Sequence, residues 1–184
     1  WSGVYLDEGA LLVHERLAIV DPAGGSQPLL SADGQLALAV NGEIYNHQQL
    51  KAGLSQPYAF QTGSDCEVIN ALYREHGAAG VARLNGIFAF ALWDADAGRA
   101  VIARDPMGVC PLYWGHDGDG RLWVASEMKA LARHCPDVAV FPPGHVFDTA
   151  TGELTRYYER PWRSHDATAG AAVAPEDLRG ALEQ

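Results

Sequence analysis

The chain has 184 residues, of which 48% are hydrophobic and 20% charged, a composition typical of one folded domain rather than a disordered segment. Its formal net charge is −10, which argues against binding to nucleic-acid backbones, because such binding needs a basic face. No apolar run approaches the roughly 20 residues that span a bilayer. We therefore expect a cytoplasmic protein that handles small metabolites, with neither nucleic acid nor membrane as a partner.

Predicted strands dominate the chain. Each is a short apolar run bounded by turn-forming Gly, Pro, Asp or Asn. The runs lie at residues 10–14, 35–40, 86–93, 100–104, 112–114, 122–125, 145–148 and 154–158. Together with two well-defined helices they indicate a layered α/β or α+β domain with largely antiparallel sheets, and the pattern alone does not choose between these classes.

Two helices are predicted in the first half. The first covers residues 46–54, with Asn46 as its N-cap. The second is introduced by Ser64 and Glu67, which have the spacing of a capping box, and Gly77 stands where a C-cap is expected. A capping box fixes the start of a helix, so the second boundary is the sharper prediction.

Both ends of the sequence suggest a piece of a longer protein. Trp1 opens an apolar stretch, so we expect the chain to start inside a folded domain. Residues 163–174 are rich in Ala, Ser, Thr and Gly, which is typical of a linker. Pro175 then opens a helical pattern that continues to the last residue, and we expect a further domain to begin there.

The cysteines and histidines indicate no metal. Cys66, Cys110 and Cys135 are odd in number and unrelated in spacing, so they form neither a disulfide framework nor a CxxC site. The seven histidines lack a metal-ligand spacing such as HxxxH. We expect reduced thiols, with Cys66 packed in the interior, and no metal in this domain.

Asn41 and Gly42 follow an apolar run and offer two converging N–H groups. A glycine lets the backbone approach a ligand closely, and the asparagine amide is a donor. Such a pair suits a developing oxyanion. The dipeptide taken alone favours the simpler alternative, an Asn-Gly turn that ends the strand.

Arg16 and Asp65 also have two interpretations each. Arg16 can donate two N–H groups to a ligand carboxylate, or it can pair on the surface with Glu15 or Asp21. Asp65, in the first turn of a predicted helix, can complement the helix dipole or accept a ligand ammonium. Together with Asn41-Gly42, these residues would form a receptor for an α-amino acid that carries a reactive side-chain carbonyl.

Nine sequence blocks carry a family resemblance. They are HERLAIVD, QPL, LAVNGEIYNH, TGSDCEVI, LNGIFAFALWD, ARDPMG, PLYWG, ASEMKAL and FPPG. In this order they resemble the glutaminase domain of glutamine-hydrolysing asparagine synthetases of the bacterial type, which are class II glutamine amidotransferases. The resemblance covers residue 1 to roughly residue 162.

The resemblance implies an N-terminal-nucleophile fold. This is an α+β, four-layer sandwich with two mainly antiparallel sheets between helical layers. It also implies an amidotransferase domain at residues 1–162, a linker at 163–174 and the start of a synthetase domain at 175–184. We expect no cofactor in the first domain, ATP and Mg²⁺ in the synthetase domain, and a possible homodimer.

The resemblance also assigns roles around L-glutamine. Arg16 grips the α-carboxylate, the Asn41 side chain and Gly42 N–H form the oxyanion hole, and Glu43 and Asp65 surround the α-ammonium. The backbone stretch that lines the same pocket is Leu17, Ala18, Ile19 and Val20.

The implied reaction begins with a cysteine at the mature N-terminus. The cysteine attacks the side-chain amide, a thioester forms, ammonia leaves, and water releases glutamate. The ammonia is then passed to ATP-activated aspartate. Two alternatives stay open: an asparagine-synthetase-like enzyme that amidates another carboxylate, and a degenerate glutaminase that serves as a binding or structural module.

We expect the 184-residue chain itself to release no ammonia from glutamine above background. Trp1 matches a point inside the family's domain, and the three cysteines are internal, so none has the free α-amine that activates the nucleophile. Glutamate release by the purified chain measures this. Turnover that survives Cys66→Ser would contradict our account of the nucleophile.

Overall fold

The computed structural model describes residues 2–15, 21, 24–160, 166, 169 and 174–183. The strands are β1 (Ser2–Leu6), β2 (Leu11–Glu15), β3 (Leu29–Leu30), β4 (Leu36–Ile44), β5 (Gly86–Asp94), β6 (Arg99–Arg104), β7 (Tyr113–His116), β8 (Leu122–Ala125), β9 (Ala139–Val140), β10 (His145–Asp148) and β11 (Glu153–Arg156). The α-helices are α1 (His47–Ala52), α2 (Val68–His76), α3 (Met128–Leu131) and α4 (Pro175–Leu182), and 3-10 helices cover Asp65–Glu67 and Gly77–Arg83. No helix among the described residues is long and apolar enough to cross a membrane.

The strands pair only in antiparallel fashion within the described residues. A six-stranded sheet has the order β11-β10-β6-β5-β4-β3, β1 and β2 form a hairpin, and β8-β7-β9 form a three-stranded sheet. Antiparallel pairing with helices on one side is the α+β arrangement, so the α/β alternative is wrong and the α+β prediction is confirmed.

The six-stranded sheet has an apolar core on each face. Because side chains alternate along a strand, Phe88, Phe90 and Leu92 of β5 point to the face that packs against α2. Ile87 and Ala89 point to the other face, where the core continues into β7 and β8. Burial of a single phenylalanine contributes about 1.5–3 kcal/mol, so these two cores hold the central strands in place.

Strand β4 continues further than the sequence indicated. It pairs with β5 over nine residues, from Leu36 opposite Asp94 to Ile44 opposite Gly86. Asn41 therefore lies inside the strand, and the alternative of a strand-ending Asn-Gly turn is wrong. The physical reason is that β5 offers a backbone partner to every residue up to Ile44, which local sequence does not reveal.

The helix boundaries are close to those predicted, but the N-cap of α1 differs from the prediction. Asn46 stands at the N-cap of α1, yet its side chain bonds to Arg83 O and Asn85 N instead of the helix. Ser64 accepts from Cys66 N as a cap should, and a 3-10 turn precedes α2. Gly77 ends α2 with φ +60°, as expected of a C-cap glycine.

Glu67 does not complete the predicted capping box. Its carboxylate is fully buried and accepts hydrogen bonds from Gln61 N at 2.6 Å, Thr62 N at 2.7 Å and Thr62 Oγ1 at 2.7 Å. These three donors stabilise the buried charge better than the single Ser64 N–H of a capping box. Glu67 thus fixes the loop that leads into Asp65.

Arg104 organises the loop that follows β6. Its buried guanidinium donates to the carbonyl oxygens of Cys110 at 2.7 Å, Phe141 at 2.9 Å and Gly108 at 2.9 Å. The neighbouring Asp105 carboxylate accepts three backbone N–H groups of the same loop. Arg104 and Asp105 together fix the backbone of this loop, including Cys110.

Replacement of Arg104 by Met should lower the free energy of unfolding by about 2–4 kcal/mol, because three carbonyl groups lose a charged donor. Urea unfolding of the chain measures the change. Arg121→Met is the matched control, since that side chain is 71% exposed, and it should change stability little. Equal losses in the two variants would contradict a special role for Arg104.

Candidate functional site

A cleft of about 520 Å³ opens beside the second half of β4. Its walls come from the end of β2, the segment before β3, β4 itself, the 3-10 helix at Asp65–Glu67, the start of β5, the loop after β6 and the segment before α3. A volume of this size accommodates a small metabolite. The cleft is therefore the candidate site.

The structure brings four of the predicted site residues together in this cleft. Asn41, Gly42 and Glu43 line it from β4, and Asp65 lines it from the 3-10 helix. The predicted carboxylate-binding segment lies outside the described residues; it comprises Arg16, Leu17, Ala18, Ile19 and Val20. Glu15, which immediately precedes that segment in the chain, lines the cleft.

Gly42 is a position that only glycine fits. Its φ is +140°, and a Cβ built there would lie 2.0 Å from Ile87 O and 2.7 Å from Phe88 Cα. The β5 backbone therefore presses directly against Gly42. This close approach holds the two neighbours of Gly42 at the edge of the cleft.

Asn41 and Glu43 lie on one face of β4, because side chains two residues apart in a strand point the same way. Asn41 is exposed, and its side-chain amide makes no hydrogen bond to another described residue. An unoccupied amide N–H at the wall of a cleft is available to a ligand oxygen. The position of Asn41 at the cleft wall is compatible with an oxyanion donor, and that role stays a prediction.

Asp65 holds the end of β4 and also faces the cleft. The residue is only 6% exposed, and its Oδ2 accepts a hydrogen bond from Ile44 N at 2.6 Å. Its Oδ1 accepts none from another described residue, so one oxygen remains for a ligand. The structural and ligand-binding interpretations of Asp65 are compatible, because each uses a different oxygen.

Asp21 accepts two backbone N–H groups, one of them from the loop before Asp65. Its Oδ1 accepts from Gly24 N at 3.0 Å and its Oδ2 from Gly63 N at 2.8 Å. The residue has φ +50°, a left-handed conformation that costs a non-glycine residue about 1 kcal/mol. The bond to Gly63 N therefore fixes Asp21 against the loop that leads to Asp65.

Acidic groups dominate the described walls of the cleft. Glu15, Glu43, Asp65 and Glu127 contribute carboxylates, and the described lining residues include no Lys or Arg. Such a surface attracts an ammonium group. Over the part of the chain that the structure describes, no three His, Cys, Asp or Glu side chains are grouped to hold a metal ion.

Cys66 lies in the cleft as a packed thiol, as predicted. Its Sγ donates to Gly42 O at 3.5 Å and lies 3.7 Å from Asp65 Oδ2. Burial raises the pKa of this thiol well above its ordinary value, and the Asp65 charge raises it further. Burial likewise raises the pKa of Cys110 to about 11. Neither thiol is a ready nucleophile at neutral pH.

Several cleft residues were not predicted to belong to the site. Gln27, Cys110 and Glu127 all line it. Gln27 and Glu127 fall in the blocks QPL and ASEMKAL, and Cys110 lies between ARDPMG and PLYWG, but their residue types alone suggest no role. For Gln27 and Glu127, the signal in the sequence was membership of a matching block, and only the structure shows that these blocks reach the cleft.

Comparison with known proteins assigns the chain to a family. The model of the glutamine amidotransferase domain matches residues 1–142. The chain is 49% identical over 183 residues to glutamine-hydrolysing asparagine synthetase B of Escherichia coli (strain K12), covering 100% of this chain and 33% of that protein. It is 50% identical over 164 residues to a glutamine-hydrolysing asparagine synthetase of Zea mays, covering 89% of this chain and 28% of that protein.

A solved structure shows the same fold. The glutamine phosphoribosylpyrophosphate amidotransferase from B. subtilis superposes with a TM-score of 0.65 at 29% identity, covering 82% of this chain and 35% of that one. The chain spans about a third of the length of the curated relatives it matches.

Replacement of Gly42 by Ala should lower the free energy of unfolding by more than about 2 kcal/mol. The new methyl group would meet Ile87 O at 2.0 Å, a clash that forces β4 and β5 apart. Gly98→Ala is the matched control: its φ is +59° but nothing lies within 4 Å, so only about 1 kcal/mol of backbone strain is expected. Comparable urea midpoints for the two variants would contradict the close approach at Gly42.

Proposed function

Because this chain belongs to the glutamine amidotransferase family, we propose that it is the glutamine-hydrolysing part of an asparagine synthetase. It converts L-glutamine to glutamate and ammonia, and the ammonia is passed to aspartate activated by ATP. We assign residues 1–162 to the amidotransferase domain, 163–174 to a linker and 175–184 to the start of the synthetase domain. ATP and Mg²⁺ act in that second domain.

The observation that carries the proposal is the convergence of Asn41, Gly42, Glu43 and Asp65 on one cleft. Glutamine presents an ammonium, a carboxylate and a side-chain amide carbonyl. The cleft offers carboxylates to the first and N–H donors to the last. The relatives named above are glutamine-hydrolysing enzymes, which supports glutamine as the ligand.

The α-ammonium and the α-carboxylate of glutamine are bound by protein groups of opposite charge. Glu43 and Asp65 accept hydrogen bonds from the α-ammonium, and the free Oδ1 of Asp65 supports this assignment. Arg16 donates its planar pair of N–H groups to the α-carboxylate. Because the described walls are acidic, a carboxylate binds there only with such a cation.

Hydrolysis follows by nucleophilic attack on the side-chain amide. The nucleophile implied by the resemblance is a cysteine at the mature N-terminus, and the buried Cys66 and Cys110 do not fit that role. As its sulfur bonds to the amide carbon, the carbonyl oxygen becomes an oxyanion. The Asn41 amide and the Gly42 N–H stabilise this oxygen. The proton given up by the thiol passes through the cysteine's own α-amine to the nitrogen, which leaves as ammonia, and water then hydrolyses the thioester to release glutamate.

Aspartate is the acceptor that the relatives' names support. Acceptor choice belongs to the synthetase domain, so an enzyme of this type that amidates another carboxylate would use the same glutaminase cleft. Product analysis with aspartate and with other carboxylates in the intact enzyme separates the two. Amide formation on a different carboxylate alone would overturn the asparagine assignment.

Asn41→Ala in the intact enzyme should lower glutaminase turnover by roughly 10²–10³, with a much smaller change in glutamine affinity. The donor acts on a charge that develops only in the transition state.

Arg16→Ala should instead weaken glutamine binding by about 1.5–3 kcal/mol, because a pair of charge-assisted hydrogen bonds to the α-carboxylate is lost. Arg16→Lys should restore little of this binding. Steady-state kinetics with glutamine distinguishes turnover from affinity.

Ammonia-dependent amidation is the control for both variants, since free ammonia bypasses the cleft. It should persist at the wild-type level. Equal loss of both activities in Asn41→Ala would mean that Asn41 supports only the fold. An unchanged glutaminase activity would mean that the oxyanion assignment is wrong.

A further inference from the structure

Gln27 forms two hydrogen bonds with a single backbone residue of β4. Its side-chain Nε2 donates to Val40 O at 2.9 Å, and its Oε1 accepts from Val40 N at 2.9 Å. The side-chain amide therefore satisfies both backbone groups of Val40 at once. This is the pattern that an adjacent strand normally provides through its own backbone.

The position of Gln27 explains why a side chain takes this role. β3 pairs with β4 only at Leu29 opposite Leu38 and Leu30 opposite Ala37. The same register, extended by two residues, brings Gln27 opposite Val40. The backbone of Gln27 instead lies against β1, since a Cβ built on Gly3 would be 1.8 Å from Gln27 O. The Gln27 side chain thus supplies to β4 the hydrogen bonds that the backbone of a longer β3 would have made.

The residue that Gln27 holds is the immediate neighbour of the oxyanion pair. Val40 is 2% exposed, so loss of the Gln27 amide would leave its backbone N–H and C=O without these partners at a nearly buried position. On the other edge of β4, β5 fixes Val40 opposite Phe90 and Asn41 opposite Ala89. At Val40, β4 is therefore held by β5 on one edge and by the Gln27 side chain on the other. Gln27 also lines the cleft.

We propose that Gln27 is a positioning residue for glutamine hydrolysis. It fixes Val40 and thereby the direction in which the Asn41 amide and the Gly42 N–H point. The inference rests on the proposed function. Oxyanion donors act only when they are already aimed at the developing charge, and a misplacement of about 1 Å can cost up to roughly a hundredfold in rate.

Gln27→Met in the intact enzyme tests the proposal. Methionine has a similar length but neither donates nor accepts these hydrogen bonds. We expect kcat for glutamine hydrolysis to fall roughly tenfold, less than for loss of the donor itself, with KM changed less than about twofold because the ammonium and carboxylate contacts remain. Gln49→Met, on the exposed side of α1, is the matched control and should leave kcat unchanged. A wild-type kcat in Gln27→Met would overturn the proposal.

Gln27→Glu adds a signature that a general loss of stability would not produce. A protonated carboxyl can donate to Val40 O and accept from Val40 N, whereas a carboxylate cannot donate and repels the carbonyl oxygen. The kcat of this variant, divided by that of the wild type at each pH, should therefore rise as the pH falls from 8 to 5.5. A ratio independent of pH would contradict the role of the two hydrogen bonds.

Amide hydrogen exchange separates this inference from the proposed function. In Gln27→Met, exchange at the Val40 amide, which loses its bond to Gln27, should become faster than in the wild type, while exchange in α2 should not change. An enzyme that hydrolyses no glutamine in its wild-type form would overturn the proposed function. Unchanged exchange at Val40 would overturn the positioning role, whatever the activity.

Discussion

The nine-residue pairing of β4 with β5 is the constraint on which the site depends. Towards α2, Leu38 and Val40 of β4 are buried in the main core, which fixes the strand against sliding. At Gly42 the two backbones approach so closely that no side chain fits. The same register that buries the apolar residues therefore carries Asn41 and Glu43 to the cleft, and fold and site cannot vary independently.

Buried and half-buried carboxylates do most of the remaining positioning. Glu67 holds the loop before Asp65 through three hydrogen-bond donors, Asp21 accepts another backbone N–H of that loop, and Asp65 holds the end of β4. A buried charge is tolerated only where donors surround it. Here most of the donors are backbone N–H groups, so each carboxylate fixes a stretch of main chain, and the Thr62 hydroxyl is a further donor to Glu67. These hydrogen bonds fix the main chain around the cleft, whose described walls are acidic.

The sequence predicted the strands and helices better than it predicted the side-chain hydrogen bonds that connect them. Turn residues bounded the strands well, and the resemblance correctly implied the N-terminal-nucleophile fold. The two-residue strands β3 and β9 were missed because they are too short to form a pattern. The roles of Glu67 and Gln27 were missed for another reason: each bonds to backbone that becomes a neighbour only after folding. The predicted roles of Arg16 to Val20 stay predictions, since those residues lie outside the described part of the chain.

The central claim is that one cleft recognises both the ammonium and the side-chain carbonyl of glutamine. A crystal structure of the intact enzyme with the product L-glutamate tests it most directly. We predict the α-ammonium within about 3 Å of a carboxylate oxygen of Asp65 or Glu43, and a side-chain carboxylate oxygen at the same distance from the Asn41 amide. Glutamate bound outside this cleft, or bound inside it with its ammonium away from both carboxylates, would contradict the account.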